Sequence, residues 1–440
     1  MNPFLTGFVA LVALAWFAGL PAADAQDASS LPWFAYEQAT YLSGVLAIAL
    51  MSLAMMLATR PAWLEQPLGG MDRIYRLHKH AGILAVTFAA THWLIEMSDD
   101  LVESFFGEAS WEHGEGAGLL HAMREAAEEI GEWAIYVVLA MLVITLWKRF
   151  PYSLWRYLHR AMPALYLLLA FHAAWLAPSE WWQQPIGWLL AALLTGGSVA
   201  SGLSLGGLIG RSRRSVGSVI AVTSPTPDVT EVVCRTGERW HGHRPGQFAF
   251  VTFDRLEGAH PFTIASADPA ARTVNFQIKA LGDYTRGLAG RLKVGQPVTI
   301  EGPYGRFDFA RHDRDARQIW IAGGIGVTPF LAWLEALRDD PTGAPEVELH
   351  YCTRDRDRDP FVARLETLCA ELPSVRLQVH GARQDERITA QSVAGSGTGS
   401  GKTEVWFCGP QGLARSLKDG LQRLRKGGRL RFHQEAFEMR

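Results

Sequence analysis

Four histidines stand where histidine is costly. His78 and His92 lie in one apolar stretch, His159 and His172 in another, and ionisable side chains inside such segments are functional candidates. His78 and His92 are fourteen residues apart. On a helix that means about 21 Å of rise and a return to within about 40° of one face, so both rings can address one neighbour. His80, twelve residues before His92, falls about 120° away on the same geometry and reads as an interior polar residue. His159 and His172 are thirteen residues apart, an ideal mismatch of about 140°. Pro163 between them predicts a kink or π-bulge that restores alignment. Two helices then present two imidazole pairs at two depths, each suited to clamp one haem iron from both sides. Two ligands per level fall short of a closed zinc or copper shell. With both axial positions filled, such an iron passes single electrons without binding a substrate.

Apolar segments must carry these histidines. Six stretches, 4–20, 39–59, 77–97, 132–149, 157–177 and 186–209, come near the ~20 residues that cross a bilayer core of ~30 Å. The first ends in Pro21-Ala22-Ala23-Asp24-Ala25, like a signal-peptidase site, but no Lys or Arg precedes it, and an uncleaved helix is expected. Basic residues set the orientation. Arg60, Arg73, Arg76, Lys79, Lys148, Arg149, Arg156, Arg160, Arg211, Arg213 and Arg214 fall on one side, and Arg124 alone on the other. The second half of the chain is therefore expected in the cytoplasm, and the connection 98–131 outside. That connection holds Asp99, Asp100, Glu103, Glu108, Glu112 and Glu115, a solvated loop whose acidity also suits a cationic substrate such as ferric iron.

Composition sets limits around this core. The 440 residues allow two or three domains. A net charge of −2 marks no nucleic-acid partner. Most of the 16 Trp lie before residue 210, while Cys234, Cys352, Cys369 and Cys408 all follow it without paired spacing, against a disulfide framework or zinc site. A purely soluble enzyme is ruled out, and a bacterial inner membrane is the expected location.

Residues 216–310 alternate in short strands separated by Gly, Pro and Asp turns, the rhythm of a small antiparallel barrel. His260-Pro261-Phe262-Thr263 sets an aromatic beside a hydroxyl, suited to a flat hydrogen-bonding ring, and the Gly282–Thr285 turn suits a pyrophosphate. From residue 317 the pattern becomes strand, loop, helix. Gly323, Gly324 and Gly326 open a helix at Thr328 and Pro329, a phosphate cradle with Pro329 where a dinucleotide fingerprint has its third glycine. Arg354, closing the next strand, can meet a ribose 2′-phosphate and favours NADP(H) over NAD(H). The run SGTGSGKT at 396–403 imitates a nucleotide P-loop, but Ser396 replaces the first glycine and a strand follows, so it reads as a flexible loop.

Together the histidine quartet, HPFT, GDYT, GGIGVTP, Cys408-Gly409-Pro410 and the closing His433–Phe437 resemble the ferric reductase and NADPH oxidase family over about residues 40–437. The resemblance implies a six-helix membrane haem bundle (1–210), an antiparallel β-barrel FAD domain (211–311) and an α/β parallel-sheet NADP-binding domain (312–440). By motif position, it implies that Phe262 and Thr263 border the isoalloxazine, and that His260 and Thr285 hold the rest of FAD. Cys408 would lie near the nicotinamide C4, and Phe437 would cover the flavin. One departure is that Glu438, Met439 and Arg440 follow this aromatic.

The implied function is transfer of electrons from cytoplasmic NADPH through FAD and two b-type haems to an outer acceptor. A flavin is needed because a hydride carries two electrons and a haem takes one. Topology pairs His78 with His159 at the inner haem and His92 with His172 at the outer. A ferric chelate is the favoured acceptor, with oxygen as the alternative and a quinone or periplasmic redox protein as a third reading. A flavin reductase merely anchored in the bilayer and a haem sensor are the contrasting classes.

Overall fold

The computed structural model describes residues 3–20, 30–107, 118–147, 149–255, 257–267, 272–342, 344–383, 386–395, 401–424 and 429–435. The chain divides into two units, one built on residues 1–68 and 73–209, the other on 69–72 and 210–439.

The first unit is helical: α1 (Pro3–Phe17), α2 (Ser30–Ala58), α3 (Ala62–Leu68), α4 (Met71–Glu96), α5 (Asp99–Phe106), α6 (Leu119–Leu146), α7 (Tyr152–His159), α8 (Met162–Leu176) and α9 (Pro185–Leu205). Among the described residues, three helices are long and apolar enough to cross a membrane: Leu31–Ala58, Leu119–Leu146 and Pro185–Leu205. α4 and α5, bent by 42° at their junction, make a fourth if taken as one span. α1 and α8, with 15 residues each, are shorter than a full crossing. α2 and α6 also start well before the apolar stretches that announced them, α2 through an aromatic-rich first part and α6 through a charged one.

Between His159 and His172 the helix is not kinked but broken. α7 ends at His159, Arg160 and Ala161 turn, and α8 begins at Met162 with Pro163 in its first turn. There a missing N–H forfeits no helical bond. Leu46, Ala49 and Met55 of α2, Tyr166 and Ala170 of α8, and Ile186, Leu190 and Leu193 of α9 form the helical core. Tyr166 and Ser52 share a hydrogen bond of 2.8 Å within it, satisfying two hydroxyls that would otherwise be costly to bury.

The second unit has two sheets. β1 (Arg214–Thr226), β2 (Val229–Arg235), β3 (Phe248–Thr252), β4 (His260–Thr263), β5 (Thr273–Lys279) and β6 (Pro297–Tyr304) form a sheet in the order β4-β3-β6-β1-β2-β5, with every pairing antiparallel. Just beyond β4 the chain bonds back to β5 through an Ile264–Phe276 bridge and Ala265 N–H donating to Asn275 O at 2.7 Å. The two edges of the sheet thus meet around Val232, Ala249, Ile264, Phe276 and Ile300.

The short α10 (Leu288–Arg291) follows the GDYT turn. β7 (Arg317–Gly323), β8 (Val347–Cys352), β9 (Val375–His380), β10 (Thr403–Cys408) and β11 (Leu430–Glu435) make a wholly parallel sheet in the order β11-β10-β7-β8-β9. Four helices connect them: α11 (Thr328–Asp339), α12 (Pro360–Ala370), α13 (Ala390–Ala394) and α14 (Gln411–Leu424). β7, β10 and β8 are buried runs such as QIWIAG and TEVWFC, as a sheet covered on both faces requires.

Candidate functional site

The four histidines meet in two pairs. The rings of His78 on α4 and His159 on α7 have centroids 6.2 Å apart with planes at 90°. Those of His92 on α4 and His172 on α8 lie 6.4 Å apart at 82°. A metal–imidazole bond of about 2.0–2.1 Å plus about 1.1 Å from nitrogen to ring centre, doubled, gives about 6.3 Å for two imidazoles on opposite sides of one metal. Both pairs have that spacing. Among the described residues no group of three or more His, Cys, Asp or Glu gathers to hold a metal ion, so the donor set at each level is the imidazole pair.

Backbone carbonyls orient three of the rings. His78 Nδ1 lies 2.9 Å from Ala54 O, His92 Nδ1 2.9 Å from Thr40 O, and His172 Nδ1 2.7 Å from Ala127 O. An Nδ1–H donated to a carbonyl fixes the tautomer and leaves the Nε2 lone pair for a metal. Thr40 and Ala54 on α2 are fourteen residues apart, as are His92 and His78 on α4, so one antiparallel register serves both contacts. A second repeat accompanies His92 and His172. Each ring's carbonyl partner is followed four residues later by a glycine, Gly44 after Thr40 and Gly131 after Ala127. A methyl on Gly44 would fall 3.1 Å from the His92 ring, and one on Gly131 would overlap the His172 ring. Neither glycine was among the expected site residues. Their signal, a small residue one turn beyond a bare carbonyl, becomes visible only once the helices are paired. His80 is exposed, its Nδ1 2.7 Å from Arg76 O on its own helix.

In the second unit the HPFT segment is the edge strand β4, and all four of its residues are half-buried. Phe262 reaches Phe253 and Phe276 at about 6.4 and 6.3 Å between ring centres. His260 stacks on Tyr284 of the GDYT turn at 4.2 Å and 11°, bringing the two motifs together. Arg291 covers the Tyr284 ring and also hydrogen-bonds the Tyr284 carbonyl. Thr285 Oγ1 accepts from the Leu281 and Gly282 N–H groups at 3.0 and 3.1 Å, so its hydroxyl shapes the turn.

The glycine turn after β7 is built by close approach. Gly324 has φ +55°, the left-handed region that favours glycine. A methyl on Gly326 would overlap the Cys408 carbonyl, so the turn packs directly on the end of β10. Thr328 Oγ1 donates to Ile325 O at 2.7 Å, and Pro329 is buried in the first turn of α11. Gly409 and Pro410 stand against Gly323. Cys408 itself is 5% exposed and belongs to the core around Trp406, Trp320 and Trp333. Burial, helped by the Glu435 charge, pushes its thiol well above the ordinary range. Arg354 is exposed two residues past β8. Phe437 and Glu108, Glu112 and Glu115 lie outside the described residues.

Known families match both halves. The ferric reductase like transmembrane component matches residues 43–170, which hold His78, His92 and His159. An FAD-binding domain matches residues 216–308, which hold β4 and the GDYT turn. Both matches support the resemblance of this chain to the ferric reductase and NADPH oxidase family. The chain is accordingly a membrane flavoprotein of the oxidoreductase class. It is 26% identical over 205 residues to the propane 2-monooxygenase reductase component of Mycolicibacterium goodii, covering 44% of this chain and 59% of that one. It is 32% identical over 135 residues to the vanillate O-demethylase oxidoreductase of Pseudomonas putida, covering 30% and 39%. The chain spans about half the length of the curated relatives it matches. A flavohemoglobin from Malassezia yamatoensis, solved with bound FAD and heme, shares the fold with a TM-score of 0.50 and 16% identity over 94% of this chain and 99% of that one.

Proposed function

We propose that this chain carries electrons from NADPH on the cytoplasmic side, through FAD and two bis-histidine haems, to an acceptor across the membrane, with a ferric chelate as the favoured acceptor. The observation that carries the reading is the pair of imidazole couples, 6.2 and 6.4 Å between ring centres, on the chain that also has the FAD-binding domain. When bound, the flavin converts a hydride into single electrons and the haem irons relay them. In this reading six spans, formed by α1, α2, α4, α6, α7 with α8, and α9, enclose the haems. The sheet from β1 to β6 is a closed FAD barrel and the parallel sheet is the NADP domain, with boundaries near residues 210 and 311.

The chain's own groups then have distinct tasks. His78 and His159 hold the inner iron, and His92 and His172 the outer. Phe262 and Thr263 on the half-buried edge strand border the flavin ring, with His260 and the turn shaped by Gly282 and Thr285 beside it. Gly323, Gly324 and Gly326 let a pyrophosphate approach the backbone ahead of Thr328 and Pro329, while Cys408, Gly409 and Pro410 wall the nicotinamide. A thiol kept neutral by burial is a wall and not a nucleophile. Arg354 faces the 2′-phosphate, and Phe437 shields the flavin until nicotinamide arrives. Asp99, Asp100 and Glu103, on the side opposite the basic connections, favour a cationic acceptor.

The deciding experiment reduces the purified protein with limiting NADPH without air, then follows haem reoxidation by oxygen and by ferric chelate. Fast reoxidation by the chelate and slow reaction in air are expected. Fast reaction with oxygen and superoxide release would make the acceptor oxygen instead. Slow reaction with both would point to a quinone or a periplasmic redox protein. NADPH oxidation that survives loss of all four histidines would leave only an anchored flavin reductase.

A further inference from the structure

Three of the four imidazoles are held by a backbone carbonyl; His159 is not. Its Nδ1 is buried without a hydrogen-bond partner among the described residues. The antiparallel register that sets His172 on Ala127 of α6 would bring His159 opposite Ala140, thirteen residues further along. The break at Arg160 and Ala161 interrupts that register and ends α7 at His159. What touches the ring is Trp155, one turn earlier on α7, stacked at 5.0 Å with planes 15° apart. The indole is fixed in turn: its N–H donates to Thr145 Oγ1 at 2.9 Å, and the Thr145 hydroxyl donates to Met141 O at 2.6 Å.

We infer that Trp155 is a positioning residue that orients His159 by ring stacking, where the other three ligands use a carbonyl, and that His159 is therefore the most readily displaced of the four. The inference rests on the bis-histidine haem reading. A carbonyl that accepts from Nδ1–H fixes the ring's rotation and also makes Nε2 a stronger donor to the metal. A stacked indole fixes the plane but adds nothing to the donor strength. The inner site, held by His78 and His159, thus pairs one strengthened ligand with one that is only positioned, whereas both ligands of the outer site are strengthened.

The test uses the full chain in detergent, with haem content, low-spin electron paramagnetic resonance signals and carbon monoxide binding to the reduced protein as readouts. Wild type should contain two low-spin haems, with carbon monoxide entering one of them first. In Trp155→Leu one low-spin signal should become high-spin, with up to half the haem binding carbon monoxide; Trp155→Phe should return most of the wild-type signal. The same change should persist in a His92→Ala, His172→Ala background, which retains only the inner site. If Trp155→Leu does not fold, Thr145→Val, which releases the indole N–H, should cause a smaller shift in the same direction. Unchanged signals and carbon monoxide binding in the Trp155 or Thr145 variants, or an equal change in both haems, would overturn the inference. A wild-type protein without two low-spin haems would overturn the haem reading itself.

Discussion

The rings of His78 and His159 face each other at 6.2 Å between centres, although the two residues sit on helices of very different construction. His78 lies within the 26-residue α4, whereas His159 is the last residue of the eight-residue α7. The break after His159 removes the mismatch that a continuous helix would impose between positions 159 and 172. Both pairs reach nearly equal spacing, 6.2 and 6.4 Å, because the chain gives up two residues of helix between them.

In the proposed reading, equal spacing at two levels makes the two haems separable by mutation. His92→Ala with His172→Ala should leave one haem per flavin. That haem should still be reduced by NADPH, while reduction of an outer acceptor is lost. His78→Ala with His159→Ala should also leave one haem, now reduced slowly because the link nearer the flavin is missing. Stopped-flow absorbance of the two variants checks the order, and the opposite pattern would reverse the inner and outer assignments.

Gly131→Ala should damage the outer site selectively. Alanine is a better helix former than glycine by about 0.8–1.0 kcal/mol, so α6 itself gains from the change. The added methyl, however, would overlap the His172 ring. The haem-to-flavin ratio should fall from two towards one while thermal stability of the flavin-binding half is unchanged. Gly44→Ala, whose methyl would stand 3.1 Å from the His92 ring, should give a milder loss of the same haem.

The residues of the two His pairs and the strand-and-turn motifs were legible in the sequence because each rests on local spacing. His78 and His92 share a helix, and HPFT and GGIGVTP each stay within a few residues. What the sequence did not disclose depends on pairing between distant segments. Gly44 and Gly131 have meaning only opposite His92 and His172, and Trp155 only once α7 is known to end at His159. The tethering of His260 to Tyr284 joins motifs 24 residues apart, and nothing in either announces the stack. β9 and β11 were also missed, VRLQVH being half polar and LRFHQE short and charged. Both are edges of the parallel sheet, where burial asks less of the sequence. Thr285 was expected to help hold FAD; its hydroxyl also closes its own turn by accepting from Leu281 and Gly282 N–H, a local bond that the motif alone does not announce.

In the proposed reading Arg354 sets the choice of nicotinamide. It follows β8 in an exposed position, ahead of the Asp359 carboxylate that caps α12. A charged hydrogen bond to a phosphate contributes about 1.5–3 kcal/mol, so Arg354→Ala should weaken NADPH roughly ten- to hundred-fold and leave NADH little changed. The ratio of kcat/KM for the two nucleotides reads this directly. An equal loss with both would place the arginine away from the 2′-phosphate.

His350 should make the second unit acid-sensitive. It is fully buried on β8, with Nδ1 2.9 Å from His380 Nε2, and Glu348 and Arg317 form an ion pair nearby at 2.6 Å. Burial, reinforced by His380, lowers its pKa from the ordinary 6.5 to about 4. A histidine whose pKa is lower folded than unfolded binds its proton first in the unfolded chain. Its cost is therefore absent above about pH 6.5, grows as pH falls towards about 4, and is complete below that. The midpoint of thermal unfolding should drop across this window, and His350→Phe should flatten the drop by on the order of a few degrees. An identical acid slope in the variant would show that His350 is protonated as readily in the folded chain as in the unfolded one.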